Sequence, residues 1–240
     1  LHSFPTRRSS DLIESFDAEA IIFDFDGTMS NRYANAYNLY DDALRPYFAD
    51  LSDLEFEAVL QDILLFDCNG TLPVKDRLVP FLKKYNNRFP LGFSKSFTTY
   101  WSENMYRYTP LKQQTLEVLE KLKGSYKLAL LSNGGSYSQH HKIMHVKIES
   151  YFDEIMVSGD YGINKPDKRI FDLLSEKLGV NNEECMMVGD VYSTDIIGAV
   201  NAGMLPVWIC NNPEIPSKYY KGYRIRDLRE VLDIRSEEHT

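Results

Sequence analysis

The chain has 240 residues with 27 Lys and Arg against 35 Asp and Glu, which gives a formal net charge of −8 at pH 7. This acidic balance argues against non-specific binding to nucleic acid or to anionic membranes, because their phosphate groups would be repelled on average. No apolar run approaches the roughly 20 residues that span a bilayer. Three widely spaced cysteines, Cys68, Cys185 and Cys210, fit reduced thiols, so we expect a cytoplasmic protein.

The two ends of the chain resemble no protein sequence. Residues 1–12, LHSFPTRRSSDL, and residues 235–240, RSEEHT, match translated sequencing adapters at every codon. A targeting peptide rich in Arg and Ser would resemble the first segment but would not account for the second. We therefore expect both segments to be adapter-derived and the native termini to be missing.

The first predicted element is a strand over residues 20–25, where an apolar run leads directly into FDFDGT. Two carboxylates, Asp24 and Asp26, stand one residue apart at the end of this run. Such a pair could belong to a simple turn or to a catalytic site, and the hexapeptide alone does not distinguish the two.

Residues 31–108 show aromatic-rich helical patterns and no convincing strand, which predicts an all-helical domain inserted after the first strand. It could be a separate bundle that fills out a larger fold. We interpret it as a lid, because an insertion leaving a sheet directly after FDFDGT would lie above the carboxyl end of that strand. Four aromatic residues of this insertion have a helical spacing that favours a core role: Tyr33, Tyr37, Tyr40 and Phe48.

The second half of the chain alternates short apolar runs with helical patterns. The predicted strands are Lys127–Ser132, residues 154–158, Cys185–Gly189 and Leu205–Ile209. The predicted helices run from Pro110 to Gly124, from Pro166 to Gly179, and from Ser193 or Thr194 to Gly203. Strands joined by helices of this length predict right-handed crossovers and a parallel sheet, and therefore an α/β fold.

Several polar residues stand where the carboxyl ends of these strands would meet, which is where open α/β sheets bind ligands. They are Asp24, Asp26, Ser132, Asn133, Lys165, Asp190 and Asp195. Each alone could cap a helix or form a turn. Together, the four carboxylates would repel one another unless a cation and a lysine neutralised them, and hard oxygen ligands suit Mg²⁺. Such a site would be suited to a phosphate group.

Four segments in order, FDFDGT, LLSNG, Lys165-Pro166 and VGDVYSTD, resemble the four motifs of the haloacid dehalogenase superfamily. The resemblance covers residues 20–234. It implies a Rossmann-like three-layer core with a parallel sheet, formed by residues 13–30 and 109–234. The helical insertion over residues 31–108 resembles the cap domain of the family's first subclass.

The resemblance also implies a role for each acidic residue. Asp24 would be the nucleophile that attacks phosphorus and forms an aspartyl-phosphate. Asp26 would protonate the leaving oxygen and then activate the water that hydrolyses the intermediate. Mg²⁺ would bind the Asp24 carboxylate, the Asp26 backbone carbonyl and Asp190. Asp195 would hold Mg²⁺-bound water or orient Lys165.

The remaining positions of the motifs imply a phosphate-binding site. Ser132 and the Asn133 backbone would hold the phosphoryl oxygens, together with the loop at Gly27. Lys165 would neutralise charge on the nucleophile and on the phosphate.

Three positions bear on the type of reaction. The family's dehalogenases, phosphonatases and ion pumps lack an aspartate two residues after the nucleophile, so Asp26 selects phosphoester chemistry. Hexose-phosphate mutases of this subclass carry a histidine where this chain has Ala36, which disfavours a mutase. Many phosphoglycolate-type members carry an aspartate where this chain has Asn31, which weakens that assignment.

The sequence around Gln139 and Lys142, with the GINKPDKRIF and GAVNAGM stretches, resembles the branch that contains pyrimidine 5′-nucleotidases and related small-metabolite phosphatases. This resemblance implies that the aromatic residues of the insertion could stack on a nucleobase, although we favour the core role that their spacing indicates. In the same region His140, His141 and His145 form an HHxxxH cluster, and an i, i+4 pair could bind zinc. We favour a solvated helix face for the histidines, because no Cys or acidic partner is obvious nearby.

The predicted function is a Mg²⁺-dependent phosphatase that hydrolyses a small phosphorylated metabolite, such as a nucleoside monophosphate or a sugar phosphate. Mg²⁺ is the expected cofactor and the metabolite the expected partner, with no nucleic acid or membrane partner. We expect a monomer or a weak homodimer. The alternatives are a phosphomutase or phosphotransferase of the same fold, and a catalytically silent binding module that retained the fold.

Overall fold

The computed structural model describes residues 18–212 and 214–234 of the chain. Both segments predicted to be adapter-derived, residues 1–12 and 235–240, lie outside this described part. The described residues form two compact units. Unit 1 contains residues 18–29, Gln113–Asn133 and residues 149–234, and unit 2 contains Ser30–Lys112 and Gly134–Ile148.

Unit 1 is built on one sheet whose six strands, counted over the described residues, all run parallel in the order β3-β2-β1-β4-β5-β6. The strands are β1 (Ala20–Phe23), β2 (Lys127–Ser132), β3 (Glu154–Val157), β4 (Cys185–Gly189), β5 (Leu205–Ile209) and β6 (Tyr223–Ile225). Strand β1 is central, and its residue Phe23 pairs with Leu130 of β2 on one side and with Val188 of β4 on the other. The predicted parallel α/β fold is confirmed.

The strands that were predicted are short apolar runs because helices cover the sheet. Most of their side chains are buried, on both faces of the sheet, so polar residues would be unfavourable at most positions. On one side, Ile22, Leu131 and Met187 from three strands pack with Phe171 and Leu174 in a single cluster. Only the short strand β6 was missed, because three residues are too few to show a periodic pattern.

Unit 1 also contains helices α5 (Thr115–Leu122), α7 (Ser158–Tyr161), α8 (Lys168–Leu178) and α9 (Ile197–Ala202). Helix α8 follows the prediction closely, with Asp167 as its N-cap and Gly179 as its C-cap. The prediction that Pro110 opens a helix was wrong. Leu111 instead pairs with Ser30 in an isolated antiparallel bridge, so the backbone there is extended and the helix begins only at Thr115.

Two predicted boundaries shift next to the polar residues. Strand β1 ends at Phe23, although the Asp24 N–H still donates to the carbonyl of Val188 at 2.9 Å. The helix expected from Ser193 or Thr194 begins as a π-helical turn over Tyr192–Ile196 before α9. This wide turn is shaped by Asp195, whose carboxylate accepts the Val191 N–H at 2.9 Å.

Unit 2 is helical, with α1 (Arg32–Leu44), α2 (Asp53–Asp67), α3 (Val74–Lys84), α4 (Phe93–Asn104) and α6 (Ser136–Val146). Its extent differs from the predicted 31–108, because residues 134–148 with α6 also belong to it. Tyr40 and Phe48 are fully buried in its core, whereas Tyr33 is 56% exposed. None of the helices in the described part of the chain is both long and apolar enough to cross a bilayer.

A buried ionic cluster lies within unit 2. The Asp67 carboxylate accepts hydrogen bonds from Arg32 at 2.9 Å and from the Tyr40 hydroxyl at 2.8 Å, and it forms an ion pair with Arg77. The three ion-pairing side chains are at most 6% exposed. The Arg77 guanidinium also lies 4.8 Å from the centre of the Trp101 ring, within cation–π distance. One carboxylate therefore balances two buried guanidinium groups.

Candidate active site

The candidate site lies where the sheet order reverses, between β1 and its neighbour β4. Successive strands run outward from β1 in one direction through β2 and β3, and from β4 in the other through β5 and β6. The loops after such strands separate and leave a crevice at their carboxyl ends. Asp24 follows β1 there and Asp190 follows β4, while Ser132 ends β2.

Lys165 links the polar residues of this edge. Its ammonium group lies 2.7 Å from the Asp24 carboxylate and 2.8 Å from that of Asp195, and it also donates to the Leu131 carbonyl at 2.8 Å. The lysine side chain is 1% exposed. Burial by itself would lower its pKa, but the charges of Asp195 and Asp24 outweigh that effect and raise the pKa above its usual range. Lys165 is therefore held as a buried cation.

The surroundings of the Asp24 carboxyl disfavour its ionised form. Its pKa is raised to about 7, mainly by burial and further by the charges of Asp195 and Asp26, although the Lys165 charge opposes the increase. Asp26 itself is half-buried. A further positive charge beside Asp24 would favour its ionised form, because an opposite charge stabilises a carboxylate.

Three carboxylates at this edge are close enough to share one cation. Oxygen atoms of Asp24, Asp190 and Asp195 all lie within 4.8 Å of one another. Carboxylate oxygens are hard ligands, and Mg²⁺ prefers a small number of them together with water. The donor set therefore fits the Mg²⁺ site that was predicted. The side chain of Asp26 is outside this group, and the ligand predicted for Asp26 is its backbone carbonyl.

Gly27 allows the loop after β1 to approach Asp190. Its φ is +88°, a left-handed conformation that glycine adopts without a steric penalty. A Cβ atom at this position would lie 2.2 Å from Asp190 Oδ2, which no side chain could tolerate without displacing the carboxylate. The glycine of FDFDGT is therefore required by close packing between the two acidic loops.

Asn133 fixes the backbone of Lys165. Its side-chain amide donates to the Lys165 carbonyl and accepts from the Lys165 N–H, both at 2.9 Å. This pair of hydrogen bonds joins the loop after β2 to the segment that carries the lysine. The Asn133 side chain is thus occupied by these two hydrogen bonds. The predicted phosphate contact involves only the Asn133 backbone.

Two buried hydroxyl groups at this edge lack a protein partner among the described residues. They are the Ser132 Oγ and the Thr28 Oγ1, on residues that are 1% and 0% exposed. A buried hydroxyl normally makes a hydrogen bond, and leaving one unmade is costly. The arrangement is suited to a polar ligand that supplies the missing partner. Ser132 was predicted to bind phosphate, whereas Thr28 was not predicted, although it lies in FDFDGT.

Two residues, one in β5 and one just after it, were also missed. Trp208 donates its indole N–H to the Asp190 carbonyl at 3.0 Å, and Asn211 donates to the Gly27 carbonyl at 3.1 Å. Neither belongs to a motif singled out in the sequence. An apolar strand followed by asparagines gave no local signal that these side chains would reach the acidic loops.

Comparison with known proteins identifies the family. The family model described as haloacid dehalogenase-like hydrolase matches residues 21–209, which includes all four predicted motifs. The chain belongs to this family. The predicted resemblance is confirmed.

Relatives of this haloacid dehalogenase-like hydrolase include enzymes named as phosphatases. It is 36% identical over 119 residues to N-acylneuraminate-9-phosphatase of Homo sapiens, a match that covers 49% of this chain and 48% of the human protein. It is 28% identical over 196 residues to glyceraldehyde 3-phosphate phosphatase of Methanothermobacter thermautotrophicus, covering 81% of this chain and 83% of the relative.

A third relative is the pyrimidine 5′-nucleotidase YjjG of Escherichia coli, which is 30% identical over 125 residues, or 51% of this chain and 55% of the relative. The matches thus span about half the length of the human and Escherichia coli relatives. Among solved structures, the HAD-hydrolase YfnB of Bacillus subtilis superposes with a TM-score of 0.71 at 22% identity, over 90% of this chain and 98% of that one. This similarity supports the shared fold.

The histidine cluster of this family member lies in unit 2, on α6. His141 Nδ1 is 2.7 Å from the Tyr137 carbonyl in the preceding turn of the helix. The rings of His141 and His145 lie 5.4 Å and 5.9 Å from that of Tyr106. Two of the three histidines, His141 and His145, therefore pack against an aromatic ring.

Proposed function

We propose that the chain is a Mg²⁺-dependent phosphomonoesterase that acts on a small phosphorylated metabolite through an aspartyl-phosphate. The observation that carries this proposal is the buried Lys165, held between Asp24 and Asp195 beside a carboxylate cluster that could bind one cation. Both a lysine and a metal ion would offset the charge of a bound phosphate. The named activities of the relatives support the same class of substrate.

In the first step, a carboxylate oxygen of Asp24 attacks phosphorus, and the bond from phosphorus to the leaving oxygen breaks. Asp26 supplies the proton that the leaving oxygen takes up, so the products are an alcohol and the acyl phosphate on Asp24. Lys165 stays protonated throughout, because its raised pKa keeps the positive charge beside the reacting groups.

In the second step, Asp26, now a carboxylate, takes a proton from water, whose oxygen attacks the phosphoryl group. The bond between phosphorus and Asp24 breaks, which releases inorganic phosphate and restores the free carboxylate. Asp24, Asp190 and Asp195 would hold Mg²⁺, and when bound the ion supplies positive charge that neutralises the phosphoryl oxygens. The hydroxyl of Ser132 would donate to one of those oxygens.

In this proposal, unit 2 is the cap domain that selects the substrate. The substrate of the enzyme is a sugar phosphate or a nucleoside monophosphate. A monomeric or weakly dimeric state and a cytoplasmic location stay predictions. The aromatic residues Tyr40 and Phe48 do not contribute to base stacking in this proposal, because both are buried in the core of unit 2.

The proposal is tested by hydrolysis of 4-nitrophenyl phosphate with Mg²⁺ and with EDTA. We expect phosphate release only with Mg²⁺, and after rapid acid quenching we expect mass spectrometry to find a phosphoryl group on the peptide containing Asp24. Transfer of phosphate to an added sugar phosphate, with no net release, would favour the mutase instead. Phosphate release that continues in EDTA would refute the metal requirement.

Substitution of Gly27 tests the close approach of the two acidic loops. Gly27→Ala would place a Cβ atom 2.2 Å from Asp190 Oδ2, so we expect Mg²⁺ affinity and kcat to fall by about 100-fold. Gly124→Ala is the matched control, since Gly124 has a similar φ of +86° and no atom within 4 Å of the added Cβ.

Backbone strain alone should cost each glycine variant about 1 kcal/mol of stability, because an alanine at positive φ is strained. The effect on Mg²⁺ binding should therefore appear in Gly27→Ala alone, as measured by isothermal titration calorimetry. Equal Mg²⁺ affinities in the two variants would contradict the role assigned to Gly27.

A further inference from the structure

Asn211 connects the two loops that carry the candidate metal ligands. Its side-chain nitrogen lies 3.1 Å from the Gly27 carbonyl oxygen and 3.3 Å from Asp190 Oδ2. Gly27 belongs to the loop after β1, which also carries Asp24 and Asp26, whereas Asp190 follows β4. Asn211 is 184 residues from Gly27 and 21 residues from Asp190, so one amide group bridges two loops that are 184 − 21 = 163 residues apart in sequence.

The chemistry of the contact requires an amide donor. A carbonyl oxygen and a carboxylate can only accept hydrogen bonds, and the NH₂ group of asparagine has two hydrogens, one for each. The orientation of the side chain follows, because its own oxygen in the same place would face two acceptors. A carboxylate that accepts a directed hydrogen bond also has a preferred orientation, which is how groups around a metal site align its ligands.

The backbone that leads into Asn211 is anchored to the sheet. Strand β5 pairs with β4 such that Trp208 lies beside Gly189, and the Trp208 indole N–H donates to the Asp190 carbonyl at 3.0 Å. The next residue after β5, Cys210, donates its N–H to the Ile225 carbonyl of β6 at 2.8 Å. The end of β5 is thus a fixed platform from which Trp208 holds the backbone of Asp190 and Asn211 contacts its side chain.

We propose that Asn211 is a positioning residue of the metal site, which holds the Asp190 carboxylate and the loop at Gly27 in the arrangement that binds Mg²⁺. The inference rests on the proposed function. Asn211 acts through Asp190 and has no direct role in the reaction. Its loss should therefore weaken Mg²⁺ binding and leave the affinity for the phosphate substrate unchanged once Mg²⁺ is saturating.

The test compares Asn211→Ala with Asn212→Ala and with the unaltered chain. Asn212 is the matched control because it is the next residue, is also exposed, and uses its side-chain oxygen to accept the Glu214 N–H at 3.0 Å. Mg²⁺ affinity is measured by calorimetry without substrate. We expect Asn211→Ala to bind Mg²⁺ about 10- to 100-fold more weakly, and Asn212→Ala to stay within about twofold of the unaltered chain.

Kinetics with 4-nitrophenyl phosphate supply the second readout. At low Mg²⁺ the kcat of Asn211→Ala should fall, and raising the Mg²⁺ concentration should restore it with an unchanged KM. Equal Mg²⁺ affinities of the two alanine variants, or a kcat deficit that excess Mg²⁺ does not restore, would overturn the role of Asn211.

These outcomes are separable from failure of the proposed function. If the unaltered chain releases no phosphate with Mg²⁺, the proposed function fails, and the Mg²⁺ affinities measured without substrate still decide the role of Asn211. If the unaltered chain is active and Asn211→Ala matches Asn212→Ala, only the role of Asn211 is refuted.

Discussion

Asp24→Asn is expected to lower kcat for 4-nitrophenyl phosphate by about 10⁴-fold or more, because an amide cannot serve as the nucleophile in the proposed mechanism. The substitution nearly preserves the shape of the side chain, and Lys165 keeps its ion pair with Asp195 at 2.8 Å. The chain should therefore remain folded, which circular dichroism can verify. Activity that survives this substitution would exclude the covalent intermediate.

Asp26→Asn distinguishes the role of Asp26 as acid and base from the role of Asp24 as nucleophile. The 4-nitrophenolate group leaves without protonation, so Asp24 should still become phosphorylated when Asp26 is replaced. Hydrolysis of the intermediate should then be slow, because no base activates water. We expect the phosphorylated chain to accumulate in Asp26→Asn and to be absent in Asp24→Asn. Asp50→Asn, at an exposed position in unit 2, should behave as the unaltered chain.

Asp67→Asn is expected to destabilise the protein by about 3 to 5 kcal/mol, because it removes the carboxylate that balances two buried guanidinium groups. Arg32 and Arg77 are both at most 6% exposed, so neither can recover hydration without opening the helical unit. Breaking one partner of a buried ionic cluster in this way leaves uncompensated charge in a low-dielectric interior.

The measurement is urea unfolding of Asp67→Asn followed by circular dichroism, with Asp53→Asn as control. Both aspartates belong to α2 and both pair with an arginine, but the Asp53 side chain is 96% exposed in its pair with Arg45. Exposed ion pairs contribute at most about 1 kcal/mol. A loss in Asp67→Asn no larger than that in Asp53→Asn would show that the buried cluster contributes little to stability.

Much of the sheet could be predicted from sequence because the signal is local. Buried parallel strands need consecutive apolar residues, and the runs at Lys127–Ser132, Cys185–Gly189 and Leu205–Ile209 match the observed strands residue for residue. Glycines after helices predicted the ends of α8 and α9 for the same reason, since Gly179 and Gly203 adopt positive φ there.

Local signals misled where a long-range contact determined the backbone. The extended segment at Leu111 pairs with Ser30, far away in sequence, and overrides the tendency of Pro110 to open a helix. Residues 134–148 follow a core strand directly, yet they belong to the helical unit. Neither outcome is visible in a window of neighbouring residues, because the deciding partners lie outside it.

The sequence by itself determined the parallel α/β fold, the helical insertion and the residues of the acidic edge, because periodicity and ordered motifs record them along the chain. Only the tertiary structure decided how these residues meet. Lys165 contacts Asp24 across 141 residues, and Asn211 reaches Gly27 across 184. Such contacts are set by which strands become neighbours in the sheet, and side chains with no local pattern acquire their roles only there.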